Sequence, residues 1–363
     1  MQRKILGIIC CSILLLINTA AQAQSIRWQE TTIPMPEAGP KGLETLLVWP
    51  DLPGKHPLAL ISHGSPRLAS QRAEMTAMSF LPIATEFARR GFAVAVVLRR
   101  GYGRSGGGWA EGYGSCQATN YKRAALASSA DLHAAIDYLS TLPQFDVDRM
   151  IAVGVSAGGF ATVALTADSP PKGLVAAISF AGGRGSSASN TICQENALVS
   201  TFGFLGQTSR TPMLWIYAKN DHFFNPAAAA RFLHAFNANG GNATLVETPA
   251  FDTEGHTLFS TAGIPVWSPI VDHFLTSQHL VLLNEKLPLP PVEKQKPPSQ
   301  LSIKNKKEFD RYLASPPHKA FAVDKQGAFG WSSGRHTVDE AKKKALTTCQ
   351  KFSTSHCELY IAE

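Results

Sequence analysis

The sequence predicts an α/β protein, in which a mostly parallel, twisted sheet flanked by helices is followed by a small α+β module. Three observations support this fold class. Short apolar runs alternate with longer amphipathic stretches over residues 46–275, which is typical of strands joined by crossover helices. A proline- and lysine-rich segment then interrupts the pattern, and a shorter series of predicted elements follows it.

The chain begins with a segment, residues 1–23, that has the features of a signal peptide. Arg3 and Lys4 supply a positive start, and the apolar run that follows is too short for a comfortable membrane span. Ala21-Gln22-Ala23 then fits a small-residue cleavage site. We therefore expect a secreted or periplasmic protein with no membrane anchor.

Four cysteines remain after the predicted cleavage, and an even number in an oxidising compartment indicates disulfides. Two lie close together near the C-terminus and two lie far upstream, which favours pairing Cys349 with Cys357 and Cys116 with Cys193. No C-x-x-C spacing or histidine cluster accompanies them, so we expect no metal site.

Composition predicts how the chain is divided. Residues 284–307 are rich in proline and lysine, which favours an extended, solvated linker. Residues 24–283 then form the catalytic domain. Residues 308–363 form a small β-β-α-β module that the Cys349–Cys357 disulfide stabilises. In this module Thr337-Val338-Asp339-Glu340 has the pattern of a capping box at the start of the helix.

The charge is concentrated near the C-terminus. The chain carries a net charge of +7, and from Glu285 onward it has 14 basic and 9 acidic residues. The catalytic domain is therefore close to neutral, and nothing in it indicates nucleic-acid binding. For the basic C-terminal region we expect solubility or a weak affinity for anionic envelope polymers.

Within the catalytic domain the predicted strands are short and rich in β-branched or aromatic residues, as buried parallel strands are. Between them, residues 73–90 and 124–142 have the apolar spacing of helices, and residues 157–167 form a run of small residues that can pack tightly on a sheet. The predicted strands are Leu58 to Ser62, Phe92 to Leu98, Met150 to Val155, Val175 to Phe180, Met213 to Tyr217 and Ala243 to Glu247.

The strand ending at Val155 leads into Gly154-Val155-Ser156-Ala157-Gly158, a G-x-S-x-G motif that opens a helix of small residues. In this context the motif predicts a sharp turn that exposes the Ser156 hydroxyl above the sheet. The two glycines let strand and helix approach closely. We therefore expect Ser156 to be a nucleophile.

A serine nucleophile requires a histidine base and a carboxylate that orients it. Asp221 follows the strand Met213 to Tyr217, and His256 follows the next strand, which gives the order Ser, Asp, His. Asp252 and Asp272 are alternative acids, although neither follows a strand as directly.

With these motifs the sequence resembles the α/β-hydrolase superfamily, and within it the dienelactone-hydrolase-like and prolyl-oligopeptidase-like esterases. The resemblance covers residues 46–275 and implies that the backbone N–H groups of Ala157 and Ser65 form an oxyanion hole. It also implies a structural role for the turn Arg100-Gly101-Tyr102-Gly103-Arg104-Ser105. True dienelactone hydrolases have a cysteine nucleophile, and serine here argues against that substrate.

Two long loops, residues 106–121 and 182–211, are expected to form the rim of the site. A Cys116–Cys193 bridge would tie them together and disfavour bulky substrates. The predicted function is hydrolysis of small or medium carboxylic esters, with no cofactor. A serine peptidase or acyltransferase is the alternative, and a non-catalytic envelope-binding protein is the alternative from another class. Peptidases of the resembling kind usually have a large domain before the hydrolase domain, which favours the esterase.

Overall fold

The computed structural model describes residues 26–363. The expected signal peptide, residues 1–23, therefore lies outside the described part of the chain. Among the residues that are described, none of the helices combines the length and the apolar character needed to cross a membrane.

One eight-stranded sheet is the centre of the structure, and a three-stranded sheet lies near the C-terminus. Two short hairpins lie outside both sheets. The strands are, in chain order, β1 (Ile26–Met35), β2 (Gly39–Pro50), β3 (His56–Ser62), β4 (Ala93–Val97), β5 (Gly114–Ser115), β6 (Ala118–Thr119), β7 (Phe145–Val155), β8 (Leu174–Phe180), β9 (Ser186–Ala188), β10 (Thr191–Ile192), β11 (Met213–Ala218), β12 (Ala243–Thr248), β13 (Ala320–Val323), β14 (Phe329–Ser332) and β15 (Glu358–Ala362).

The large sheet has the order β1-β2-β4-β3-β7-β8-β11-β12. β1 and β2 pair antiparallel, and the strands from β4 to β12 are parallel. β4 is completely buried and consists of Val and Ala, because parallel strands are covered by helices on both faces. The predicted strands correspond to β3, β4, β7, β8, β11 and β12, which confirms the predicted fold class. β1 and β2 lie mostly before the residues from which the pattern was recognised.

The helices lie between these strands. α1 begins at Leu81 rather than at Ala73, because residues 69–74 and 77–80 form 3₁₀ turns and Pro82 occupies the first helical turn. The helices are α1 (Leu81–Ala88), α2 (Tyr121–Leu139), α3 (Ala157–Leu165), α4 (Glu195–Gly206), α5 (Pro226–Ala238), α6 (Ile264–Ser277), α7 (Ile303–Leu313) and α8 (Val338–Gln350). We call the elements from β1 to α6 the large domain and those from α7 to β15 the C-terminal module.

The C-terminal module has the strand order β14-β13-β15 and contains the expected β-β-α-β elements. It also contains α7, which begins inside the residues expected to be a linker. The side chain of Ser302 caps the N-terminus of α7 by accepting from Asn305 N–H, and Phe309 and Tyr312 on this helix are buried. The helix thus adds an apolar layer to the module, which the proline-rich composition of the preceding residues does not predict.

The C-terminal module is in contact with the large domain. The Thr76 hydroxyl donates to the Gly334 carbonyl, and His336 Nε2 lies 3.0 Å from Glu44 Oε2. Before the module, Leu287 N–H donates to the Arg89 carbonyl, and the side-chain Nε of Arg89 donates to the Leu287 carbonyl. The first residues of the proline-rich segment therefore pack on the large domain instead of remaining fully solvated.

Both expected disulfides, Cys116–Cys193 and Cys349–Cys357, are present. The second closes a loop with a sequence separation of 8 between α8 and β15. Closing such a loop contributes roughly 2 to 3 kcal/mol, a large share of the stability of a small core. We therefore expect Cys349→Ser to make the C-terminal module sensitive to protease while the large domain stays resistant. Limited proteolysis followed by mass spectrometry of the fragments measures this, and equal resistance of both parts would contradict the expectation.

Candidate active site

Ser156 lies on a sharp turn between β7 and α3. Its backbone has φ 56° and ψ −121°, a conformation that is rare and costs about 1 to 3 kcal/mol for a residue other than glycine. Its N–H donates to Phe180 O at 2.9 Å, and Phe160 N–H donates to Ser156 O at 3.0 Å. The surrounding main chain therefore holds the serine in this strained position.

The flanking glycines are required by close packing. A Cβ atom on Gly158 would lie 2.0 Å from Ser62 O, and one on Gly154 would lie 2.2 Å from Gly158 O. Both contacts are with backbone, which cannot move aside cheaply. The motif therefore has the steric role that the sequence analysis assigns to it.

Asp221 and His256 come together at the neighbouring strand ends. Asp221 follows β11, and His256 lies in a 3₁₀ turn, residues 255–258, that follows β12. Because β11 and β12 are parallel neighbours, these loops lie at the same edge of the sheet. His256 Nδ1 lies 3.0 Å from Asp221 Oδ2 and 3.2 Å from Oδ1.

The Asp221 carboxylate is held by more than the histidine. It is 1% exposed, and its Oδ1 accepts hydrogen bonds from the N–H groups of Phe223 and Phe224. A carboxylate fixed in this way orients the imidazole with its proton on Nδ1 and leaves Nε2 free to act as a base. The alternative acids are not placed to do this, because Asp252 is exposed and Asp272 pairs with Arg90 and Lys286.

No direct hydrogen bond joins Ser156 and His256 among the described residues, but Phe223 and Phe224 line the same cavity as Ser156 and also contact His256. Ser156 lines a cavity with Phe223 and Phe224. The ring of Phe223 stacks on His256 with centroids 4.0 Å apart, and Phe224 contacts the imidazole edge-on. Hydrogen bonds of this kind are often long in the absence of substrate.

The two residues whose N–H groups are expected to form the oxyanion hole lie at the same cavity. Ala157 and Ser65 both line it, and Ala157 is the first residue of α3, so its N–H has no partner within the helix. Gly64 lets the loop that carries Ser65 lie close to Ser156, since a Cβ atom on Gly64 would lie 3.2 Å from Ser156 Cβ.

His63 braces the loop that carries Ser65. Its Nε2 accepts from Arg99 N–H at 3.0 Å, so Nδ1 carries the proton and donates to Gly64 O at 2.6 Å. Burial lowers the pKa of His63 well below its ordinary value, and the nearby Arg99 lowers it further. The neutral ring therefore fixes the turn.

A buried ion-pair cluster lies behind this loop and was not predicted from the sequence. Glu111 contacts Arg99 Nε at 2.5 Å and Arg184 Nη2 at 2.7 Å, and all three side chains are at most 2% exposed. Burial alone would raise the pKa of Glu111, but Arg184 and Arg99 hold it well below the ordinary value. Glu111 is therefore an ionised acceptor.

Tyr102 connects this cluster to the loop that carries Ser65. Its hydroxyl lies 2.5 Å from Glu111 Oε1 and 2.7 Å from the Ser65 hydroxyl. Because an ionised carboxylate only accepts, Tyr102 donates to Glu111 and Ser65 donates to Tyr102. The turn that contains Tyr102 thus supports the site directly, a contact that only the folded chain shows.

We expect Glu111→Gln to destabilise the protein by about 3 to 5 kcal/mol, since it leaves two buried guanidinium groups without a counter-charge. Urea unfolding followed by circular dichroism measures the change in the free energy of unfolding. Glu37→Gln is the matched control, because Glu37 is exposed. A loss for Glu111→Gln no larger than for the control would contradict the assigned role of the cluster.

The cavity above Ser156 has a volume of about 340 Å³. Its rim includes residues of the β5–β6 hairpin and of the β9–β10 hairpin, and the Cys116–Cys193 disulfide ties the two loops together. Several lining side chains were not singled out as site residues in the sequence, where no motif marks them: Arg67, Arg72, Trp109, Arg184, Phe223 and Phe224.

Residues 79–182 match the model of the Prolyl oligopeptidase family. This segment contains Ser156 and ends before Asp221 and His256. No curated protein matches the chain.

Three solved structures illustrate what the chain is similar to. An esterase from Pyrococcus furiosus has a TM-score of 0.46 at 16% identity, over 70% of this chain and 90% of that one. An acylaminoacyl peptidase from Pyrococcus horikoshii has a TM-score of 0.47 at 15% identity, over 70% of this chain and 42% of that one. A candidate dipeptidyl aminopeptidase IV from Bacteroides ovatus has a TM-score of 0.52 at 16% identity, over 71% of this chain and 36% of that one. Together with the sheet order, the last of these similarities identifies the large domain as an α/β-hydrolase fold.

Proposed function

We propose that this chain is a serine hydrolase that cleaves carboxylic esters, with Ser156 as nucleophile, His256 as base and Asp221 as the group that orients it. The observation that carries the proposal is the Asp221–His256 hydrogen bond at the strand ends beside a strained serine. Three groups on separate loops in this arrangement are what acyl transfer requires.

In the proposed reaction His256 Nε2 takes the proton of Ser156 Oγ as the oxygen attacks the ester carbonyl carbon. The oxyanion that forms accepts hydrogen bonds from Ala157 N–H and Ser65 N–H, and such donors typically contribute about 3 to 4 kcal/mol each. Collapse transfers the proton from His256 to the leaving alcohol and gives the acyl-serine. Water then attacks the carbonyl carbon of the acyl-serine while His256 takes a proton from it. Collapse returns that proton to Ser156 Oγ and releases the acid.

The size of the cavity favours small or medium substrates. Its volume of about 340 Å³ and the disulfide across its rim leave little room for a folded polypeptide. The match to the Prolyl oligopeptidase family makes a peptidase the second candidate. An acyltransferase would use the same residues with an acceptor alcohol in place of water.

The two disulfides also support a proposal for the location. Such bonds persist in oxidising compartments. We therefore place the proposed reaction in the periplasm or outside the cell.

A substrate screen separates the candidates. The mature protein is assayed with p-nitrophenyl esters of increasing acyl length and with aminoacyl p-nitroanilides. We expect turnover of the shorter esters and little release from the anilides. Faster turnover of the anilides would favour a peptidase, and product formation only in the presence of an added alcohol would favour an acyltransferase.

A further inference from the structure

The cavity beside Ser156 is lined by positive charges that nearby acidic groups do not fully neutralise. Arg67, Arg72 and Arg184 line it, and none of its described lining residues is acidic. Arg184 shares the Glu111 carboxylate with Arg99. Within residues 26–363 neither Arg67 nor Arg72 has a carboxylate partner.

The side chains of Arg67 and Arg72 are nevertheless held in place by aromatic rings. The Arg72 guanidinium lies 3.4 Å from the centroid of Trp109, and that of Arg67 lies 3.5 Å from the centroid of Phe223. The Trp109 indole N–H in turn donates to the Tyr102 hydroxyl at 2.9 Å. Arg67 Nη2 also donates to Ser186 Oγ and to the Ala188 carbonyl. Cation–π contacts and hydrogen bonds to neutral acceptors position a guanidinium without neutralising it, so both charges remain uncompensated.

Donor atoms without partners point to a ligand as well. Arg184 is buried, yet its Nε has no hydrogen-bond partner among the described residues, and neither does the buried Nε of Arg72. A buried donor without a partner costs about 1 to 3 kcal/mol. An anion in the cavity would satisfy donors of this kind.

The arginines lie on both sides of the nucleophile. Arg67 and Arg72 follow β3, and Arg184 follows β8, and these two strands flank β7, which ends at the turn carrying Ser156. A substrate bound at Ser156 therefore lies between cationic side chains.

We propose that the substrate of this site is an anionic ester, whose carboxylate group binds to Arg72 and its cationic neighbours in the cavity. The inference rests on the proposed ester hydrolysis and specifies its substrate class. A planar guanidinium matches a carboxylate with two parallel hydrogen bonds, which an uncharged ester cannot reproduce.

The test compares two esters that differ only in this charge, p-nitrophenyl hydrogen adipate and methyl p-nitrophenyl adipate. We expect kcat/KM to be about 10- to 100-fold higher for the anionic ester, the range that a charged hydrogen bond supplies. The preference should fall as salt is added. A second pair, p-acetoxybenzoate and its methyl ester, shows whether the carboxylate belongs to the acyl or the alcohol part.

The variant Arg72→Gln should bring the ratio of the two kcat/KM values close to one, and Arg72→Lys should retain part of the preference. The control Arg27→Gln removes an equal charge from β1, outside the cavity, and should leave the ratio unchanged. If the arginines only stabilised the oxyanion, Arg72→Gln would slow both esters equally and the ratio would persist, which would overturn the inference. Equal rates for both esters of each pair in the wild type would overturn it too.

A binding measurement keeps this test separate from the proposed function. Calorimetric titration of the Ser156→Ala variant with adipate and with adipamide needs no turnover. We expect adipate to bind at least tenfold more tightly and Arg72→Gln in the same background to abolish the difference. Ester turnover without selective adipate binding would refute the anionic substrate alone, whereas adipate binding without any turnover in the wild type would refute the hydrolase alone.

Discussion

Replacing Ser156 with alanine is expected to lower ester turnover by about a millionfold, to the rate left by binding alone. The size of the effect follows from the cooperation of the three residues, because the loss of the nucleophile leaves the base with no proton to accept. Ser156 makes its structural contacts through backbone atoms, so the fold should survive. The measurement is kcat/KM on a short p-nitrophenyl ester, together with circular dichroism.

Ser140→Ala is the matched control for this variant. Ser140 lies at the end of α2, and its hydroxyl donates to the carbonyl of Asp137. We expect wild-type turnover. Retained turnover in Ser156→Ala would show that another group attacks the ester.

Replacing Asp221 with asparagine is expected to lower kcat by about 10⁴-fold while KM changes little. The amide oxygen can still accept from the N–H groups of Phe223 and Phe224. The NH₂ group of the new side chain then faces His256 Nδ1. Because an NH₂ group donates, Nδ1 must accept a hydrogen bond, and the ring proton moves to Nε2. The histidine is left in the tautomer that cannot act as a base.

Asp252→Asn tests the same change at one of the two alternative acids. Asp252 is exposed and accepts a hydrogen bond from Thr253 N–H. We expect its turnover to equal that of the wild type. A large loss at Asp252 with none at Asp221 would mean that the assigned acid is wrong.

The elements that were predictable from the sequence are those with local signals. The strand before Ser156 ends in the short apolar run Met150 to Val155, and the glycines around the serine follow from the close approach of strand and helix. Asp221 and His256 could be placed because each follows a recognisable strand. Parallel strand ends meet at one edge of the sheet, so sequence position alone indicated that these residues lie near each other.

The features that were not predictable depend on contacts between distant loops. Glu111 lies in a glycine-rich loop without periodicity, and its pairing with Arg99 and Arg184 depends on the path of that loop. Arg72 lies immediately before the helix predicted over residues 73–90, and it belongs to a 3₁₀ turn beside the cavity. Charged side chains of this kind look like ordinary surface residues until the fold brings them to one cavity.

Covalent labelling tests whether Ser156 is the nucleophile. The wild-type protein is treated with a fluorophosphonate probe, digested, and analysed by mass spectrometry, with Ser156→Ala treated in parallel. We expect one label per molecule, located on Ser156, and no label on the variant. A label on another serine, or equal labelling of the variant, would contradict this assignment.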